Sequence, residues 1–166
     1  TEYCFEGLNI NGGDLAAKGG RLFSASRSGR KIYRLDFANE GCGTATEINN
    51  GQGTPAQVNG YALSSAENFL MTNDGSDEVY VLDDNGAVIG SYAVVSNFGN
   101  LKDGDLTSGC SSRPEDPREP CDNYKAFYAS HNGSNVSDIF ELSFVGGNAQ
   151  LDKIVTVEYE AHLTLN

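Results

Sequence analysis

The chain repeats itself. Shifted by 47 positions, two stretches align without a gap: Leu22-Phe23-Ser24-Ala25-Ser26 falls on Phe69-Leu70-Met71-Thr72-Asn73, and Ile32-Tyr33-Arg34-Leu35-Asp36 falls on Val79-Tyr80-Val81-Leu82-Asp83. At the same shift Gly13 meets Gly60. A third copy follows with insertions. Its leader Gly104-Asp105-Leu106-Thr107 echoes Gly13-Asp14-Leu15-Ala16, and Phe127-Tyr128-Ala129-Ser130 then precedes Ile139-Phe140-Glu141-Leu142-Ser143. A period in this range marks a small structural unit built several times over, and it constrains the fold more than any single motif.

Each copy has the same order of parts. A short Gly-led strand is followed by a strand of apolar and small residues, a polar turn, an aliphatic-aromatic-x-Leu strand, and a last strand. The turns are 27–30, 74–77 and 132–135, and they carry the Gly, Asn and Asp that tight hairpins need. Asp84-Asn85-Gly86 and Gly146-Gly147-Asn148 supply further hairpin signals. No stretch has the 3.6-residue apolar period of a long helix, and the helix-compatible patch 13–18 is too short to count. The expected fold is therefore all-β, one domain over 1–166, made of three antiparallel four-stranded meanders at about 13–59, 60–103 and 104–157.

This pattern resembles the blades of extracellular β-propellers of the NHL and PQQ-like kind, over most of residues 13–157. The resemblance implies propeller-like blades and little about function, because that architecture hosts many activities. Propellers close with about four to eight blades, and this chain holds three. Edges that a closed ring would pair are thus left over, and exposed edges template further pairing. The chain could be a piece of a longer propeller, half of a six-bladed ring completed by a second copy, or a subunit that passes an edge to a neighbour and polymerises.

The terminal segment 154–166 bears on that choice. Val155, Val157, Tyr159, Ala161, Leu163 and Leu165 alternate with Thr156, Glu158, Glu160, His162 and Thr164. Such period-2 alternation is longer than a usual strand. A strand of this kind docks within its own chain or adds to a neighbour's sheet. Head-to-tail exchange that does not close gives a filament.

Four cysteines allow three pairings. The turn-rich loop 111–120 between Cys110 and Cys121 favours that pair, which leaves Cys4 with Cys42 by elimination. An even set of cysteines without a CxxC points to an oxidising compartment, extracellular or at the cell surface. A start at Thr1, without Met or an apolar leader, fits a mature product after signal removal, or a trimmed chain. Asn132-Gly133-Ser134 and Asn135-Val136-Ser137 are acceptor triplets for N-glycosylation in one loop, at Asn132 and Asn135.

Charge and motifs narrow the chemistry. Twenty-three acids against eleven bases give a net charge of −12, which repels phosphate backbones and argues against nucleic acid as a partner. No apolar run reaches the ~18–20 residues of a membrane span. There is no GxSxG, HExxH, P-loop or dinucleotide fingerprint. His131 and His162 read as solvated surface residues, and no carboxylate pair can be placed across a cleft. Carboxylates grouped in turns, with Asp74 and Asp77 in one and Asp105 in another, are the kind of ligand Ca²⁺ takes, although Asp is equally a good turn residue. The expectation is a chain without a cofactor, Ca²⁺ being the one cation that grouping admits. The function expected is a non-enzymatic extracellular structural or adhesive glycoprotein subunit that self-associates through sheet edges into an oligomer or polymer. The alternative is a propeller-type binding module for carbohydrate, peptide or calcium.

Overall fold

The computed structural model describes residues 4–6, 13–26, 30–49, 53–54, 58–64, 66–73, 77–95, 104–110, 124–131 and 136–158. Among them every regular element is a strand, so the all-β reading holds. A two-residue strand β1 (Phe5–Glu6) precedes three meanders. The first is β2 (Gly13–Lys18), β3 (Arg21–Ser26), β4 (Lys31–Asp36) and β5 (Gly43–Glu47). The second is β6 (Val58–Leu63), β7 (Phe69–Asn73), β8 (Glu78–Leu82) and β9 (Val88–Val95). The third is β10 (Gly104–Cys110), β11 (Tyr124–His131), β12 (Ser137–Val145) and β13 (Asn148–Val157). Within each meander neighbouring strands pair antiparallel. The 13–18 patch is the innermost strand of the first meander.

Turn chemistry explains where the chain reverses. Gly146 and Gly147 both have positive φ, 60° and 83°, the backbone of a two-residue turn whose twist suits the flanking strands. At 83–87 the Asp83 carboxylate accepts from the amides of Asn85 and Ala87, which sets the β8–β9 hairpin.

The 47-residue shift reappears as packing. Ile32 and its counterpart Val79 are fully buried, as is Leu82, the counterpart of Leu35. Burying such a side chain stabilises by roughly 1.5–3 kcal/mol. The second meander is apolar on both faces because it is packed on both. One face carries Tyr61, Leu63, Phe69, Met71 and Leu82 against Ala16, Phe23, Ala25 and Ile32 of the first meander. There the Phe69 ring stacks on Tyr61, with centroids 4.9 Å apart, and meets the edge of Phe23. The other face carries Ala62, Leu70 and Val79 against Leu106, Ala126, Tyr128, Phe140, Leu142 and Leu151 of the third.

Three separate sheets would follow from the repeat alone. Instead the second and third meanders join into one eight-stranded sheet of order β10-β11-β12-β13-β9-β8-β7-β6. The join is a short parallel pairing of β13 with β9, Ala149 opposite Val94 and Gln150 opposite Val95. Its end strands β6 and β10 also lie side by side, where the Leu63 amide donates to Ser108 Oγ at 2.9 Å. The sheet therefore nearly closes on itself around the Leu106–Tyr128–Phe140 core. Two residues make the join physically reasonable: fully buried Ala149 is small where the strands converge, and the Tyr92 ring of β9 packs 4.8 Å from Phe144 of β12.

The first meander is the inner part of a five-stranded sheet of order β1-β5-β4-β3-β2. Here β1 lies parallel to β5, Phe5 opposite Gly43. The Cys4–Cys42 disulfide fastens that pairing at its start, as the elimination argument expected. Cys121 lies outside the described residues, and of Cys110 only its place at the end of β10 is described, so the second proposed bridge lies outside them too.

Candidate functional site

Two places gather residues that the repeat alone does not explain. The first is the centre, where the innermost strands β2, β6 and β10 run side by side. Position 14 of the first copy, 61 of the second and 105 of the third are equivalent, and all three meet there. The Tyr61 amide donates to Asp14 Oδ2 at 2.8 Å, and the Leu15 amide donates to Asp14 Oδ1 at 2.7 Å. Asp105 lies close enough for its charge to act on the Asp14 carboxyl. Burial, and then the charge of Asp105, push the Asp14 carboxyl up to about 8 against the pull of the two amides. Nearby, the Tyr61 hydroxyl is buried without a hydrogen-bond partner among the described residues, and burial raises its pKa well above the ordinary tyrosine value.

Glycine makes this convergence possible at one point. A Cβ on Gly60 would sit 2.3 Å from Leu106 Cβ and 2.6 Å from Thr72 Oγ1. No side chain fits between β6 and β10 there.

The second place is the outer strand β13. On one side it pairs with β12 from Asn148 to Val157. On the other it meets β9 only at Ala149 and Gln150, and residues 151–157 have no second strand partner among the described residues. The register shifts between Ile139 and Phe140, so Ile154 is an extra residue opposite no partner. The bulge moves the odd-numbered residues to the other face: Ala149 and Leu151 point into the core, whereas Val155 and Val157 lie opposite Ile139 and Ser137. Asp138 spans the bulge, bonding Lys153 Nζ before it and Thr156 Oγ1 after it, each at 2.6 Å. These contacts hold the Asp138 carboxyl below the usual range. Ile154 is 54% exposed and Val155 46%.

No family model matches this sequence, and no curated protein matches it. Among solved structures, the crystal structure of AofleA from Arthrobotrys oligospora is similar over 90% of this chain, at 12% identity and a TM-score of 0.40. The match covers 44% of that chain, so this chain spans less than half its length. No function passes from it.

The sequence-predicted residues are scattered by the fold. Asp77 stands exposed just before β8, while Asp105 is on β10, where its charge acts on Asp14. Asp74 lies outside the described residues. Among the described residues no three His, Cys, Asp or Glu side chains come together as a metal site. Asn132, Asn135, Tyr159, Ala161, His162, Leu163 and Leu165 also lie outside them, and of His131 only its backbone position in β11 is described. Among the described residues no helix is long and apolar enough to cross a membrane. Sequence reasoning missed the Asp14–Asp105 pair, though the signal was present: the two leaders carry Asp at the same place after Gly.

Proposed function

We propose that this chain is a non-enzymatic structural subunit, secreted or displayed at the cell surface, that associates with copies of itself along sheet edges. One observation carries the reading. β13 is a ten-residue strand whose outer edge is unpaired over 151–157 among the described residues, with half-exposed Ile154 and Val155 on it. An unpaired row of amides and carbonyls beside exposed apolar side chains favours strand addition. A second copy brings the same edge, so the contact is self-complementary in kind.

Two further features agree with this reading. The Cys4–Cys42 bridge suits an oxidising compartment. The three meanders, with β2, β6 and β10 together at the centre, are read as blade-like repeats whose ring is left open. In that reading, sugar on Asn132 and Asn135 covers one loop and leaves the β13 edge free. Sedimentation over a wide concentration range, with electron micrographs of the same samples, tests the proposal. Oligomers or fibres that grow with concentration support it. A chain that stays monomeric to about millimolar, with its terminal segment intact, overturns it.

A further inference from the structure

The short join between β9 and β13 leaves an edge open on each of the two strands. β13 has no second partner beyond Gln150 among the described residues. β9 meets β13 only at Val94 and Val95, so its run 88–93 has β8 on one side and no described strand on the other. The Val94 amide donates to the Asp77 carbonyl just before β8, and main-chain groups alternate in direction along an antiparallel strand. Those of Tyr92 and Gly90 therefore face β8, and those of Ser91 face outward. We propose that this half-edge of β9 is the acceptor for β13 of a second copy, so that subunits join head to tail. The inference rests on the self-association proposed above and names the edge that receives β13.

Charge favours that occupant. In a chain of net charge −12, the whole of β9 (Val88–Val95) carries no charged side chain, so an acidic copy can approach there without meeting an acid on the strand. Two β13 edges side by side would instead add acids to acids. Asp152 and Glu158 are exposed on each copy, and Lys153 is already paired with Asp138. Shape agrees with charge. The β8–β9 register shifts between Val81 and Leu82, which leaves Ile89 as an extra residue, just as Ile154 is on β13. Both half-edges are thus bent by a bulge that carries an exposed isoleucine, Ile89 at 57% and Ile154 at 54%. A bulge turns a flat strand away from an edge, whereas an edge with a bend of its own can follow it. Because donor and acceptor are different surfaces, the contact is heterologous, and repeating it without closure gives a filament.

Sedimentation velocity on the full chain, with variants alone and mixed, tests the assignment. Ser91→Pro removes an outward amide but no ladder hydrogen bond to β8, and proline is tolerated on an edge strand. It is expected to weaken self-association by more than about tenfold while the chain stays folded. The Ile154→Lys, Val155→Lys variant keeps β9 but lacks a competent β13. Neither variant is expected to polymerise alone, and an equimolar mixture is expected to give dimers and nothing longer, one partner supplying β13 and the other β9. Ser91→Pro that associates like the wild type, or folded variants that stay monomeric when mixed, overturns the β9 acceptor and leaves association through β13 standing. A monomeric wild type overturns the self-association itself and this inference with it. Should Ser91→Pro fail to fold, Ile89→Lys, at an exposed side chain, takes its place and is read in the same way.

Discussion

At Gly60 a missing side chain sets how closely two strands approach. A methyl group there would overlap Leu106 Cβ on a neighbouring strand and Thr72 Oγ1 on the adjacent one, neither of them the free end of a long chain. Gly60→Ala is expected to destabilise by about 1–3 kcal/mol or more through overpacking, read as a lower midpoint in chemical denaturation. Asp14 gives a second residue-scale prediction, in the pH profile of stability. Its folded pKa of about 8 lies above the unfolded value, so between roughly pH 4 and 8 the folded chain holds a proton that the unfolded chain does not. Stability then falls as pH rises through that window, by up to ~1.4 kcal/mol per unit for one proton, and levels off beyond it. Asp138 and Glu78 act with the opposite sign. Hydrogen bonds to Lys153 and Thr156, and to Tyr80 and Ser91, lower them, so the stability they add is lost as pH falls below the usual carboxylate range. Thermal denaturation against pH is expected to peak in mild acid. A plateau from pH 5 to 8 would remove the proton from Asp14.

At the scale of the element, β1 is too short to stand alone. Two residues of parallel pairing are held by the Cys4–Cys42 bridge and by the Gly43 amide donating to the Cys4 carbonyl at 2.9 Å. The Phe5 ring packs edge-on to Phe37, with centroids 5.1 Å apart, over the space that a Cβ on Gly43 would need. The bridge joins residues 38 apart, and closing a loop of that size is worth roughly 4 kcal/mol in the chain-entropy model. Reduction, or the double change of Cys4 and Cys42 to Ser, is expected to cost most of that and to expose the β5 edge to exchange first. This is also the scale at which the sequence was most legible. The 47-residue shift located Ile32 with Val79 and Leu35 with Leu82 because a strand's pattern is local, and the Gly146-Gly147 turn announced itself by residue type. The β9–β13 pairing was not legible, since two strands more than fifty residues apart leave no mark on each other's periodicity. Nor was the bulge at Ile154, because apolar residues at odd positions before and after it read as one continuous face. The Asp14–Asp105 pair fell between these cases: its repetition was visible, but only the meeting of β2 and β10 gives it chemistry.

For the whole molecule, the repeat count and the net charge pull in different directions. Three meanders leave strand edges over, whereas a charge of −12 makes copies of the chain repel one another. The eight-stranded sheet removes part of the problem by bringing β13 to β9 and β6 to β10, while the outer edge of β13 beyond Gln150 stays open among the described residues. Association through that edge is expected to strengthen with salt, because raising ionic strength from 0.01 to 0.15 M shortens the screening length from about 30 Å to about 8 Å. An interface built on ion pairs would weaken instead, and sedimentation at two salt concentrations separates the two. The most direct measurement sets the wild type beside the Ile154→Lys, Val155→Lys double variant in sedimentation velocity at high protein concentration and 0.15 M salt. Lysine on an edge strand blocks pairing at little cost where the side chains are already half exposed. The account predicts oligomers for the wild type and a folded monomer for the variant; equal association by both would contradict it.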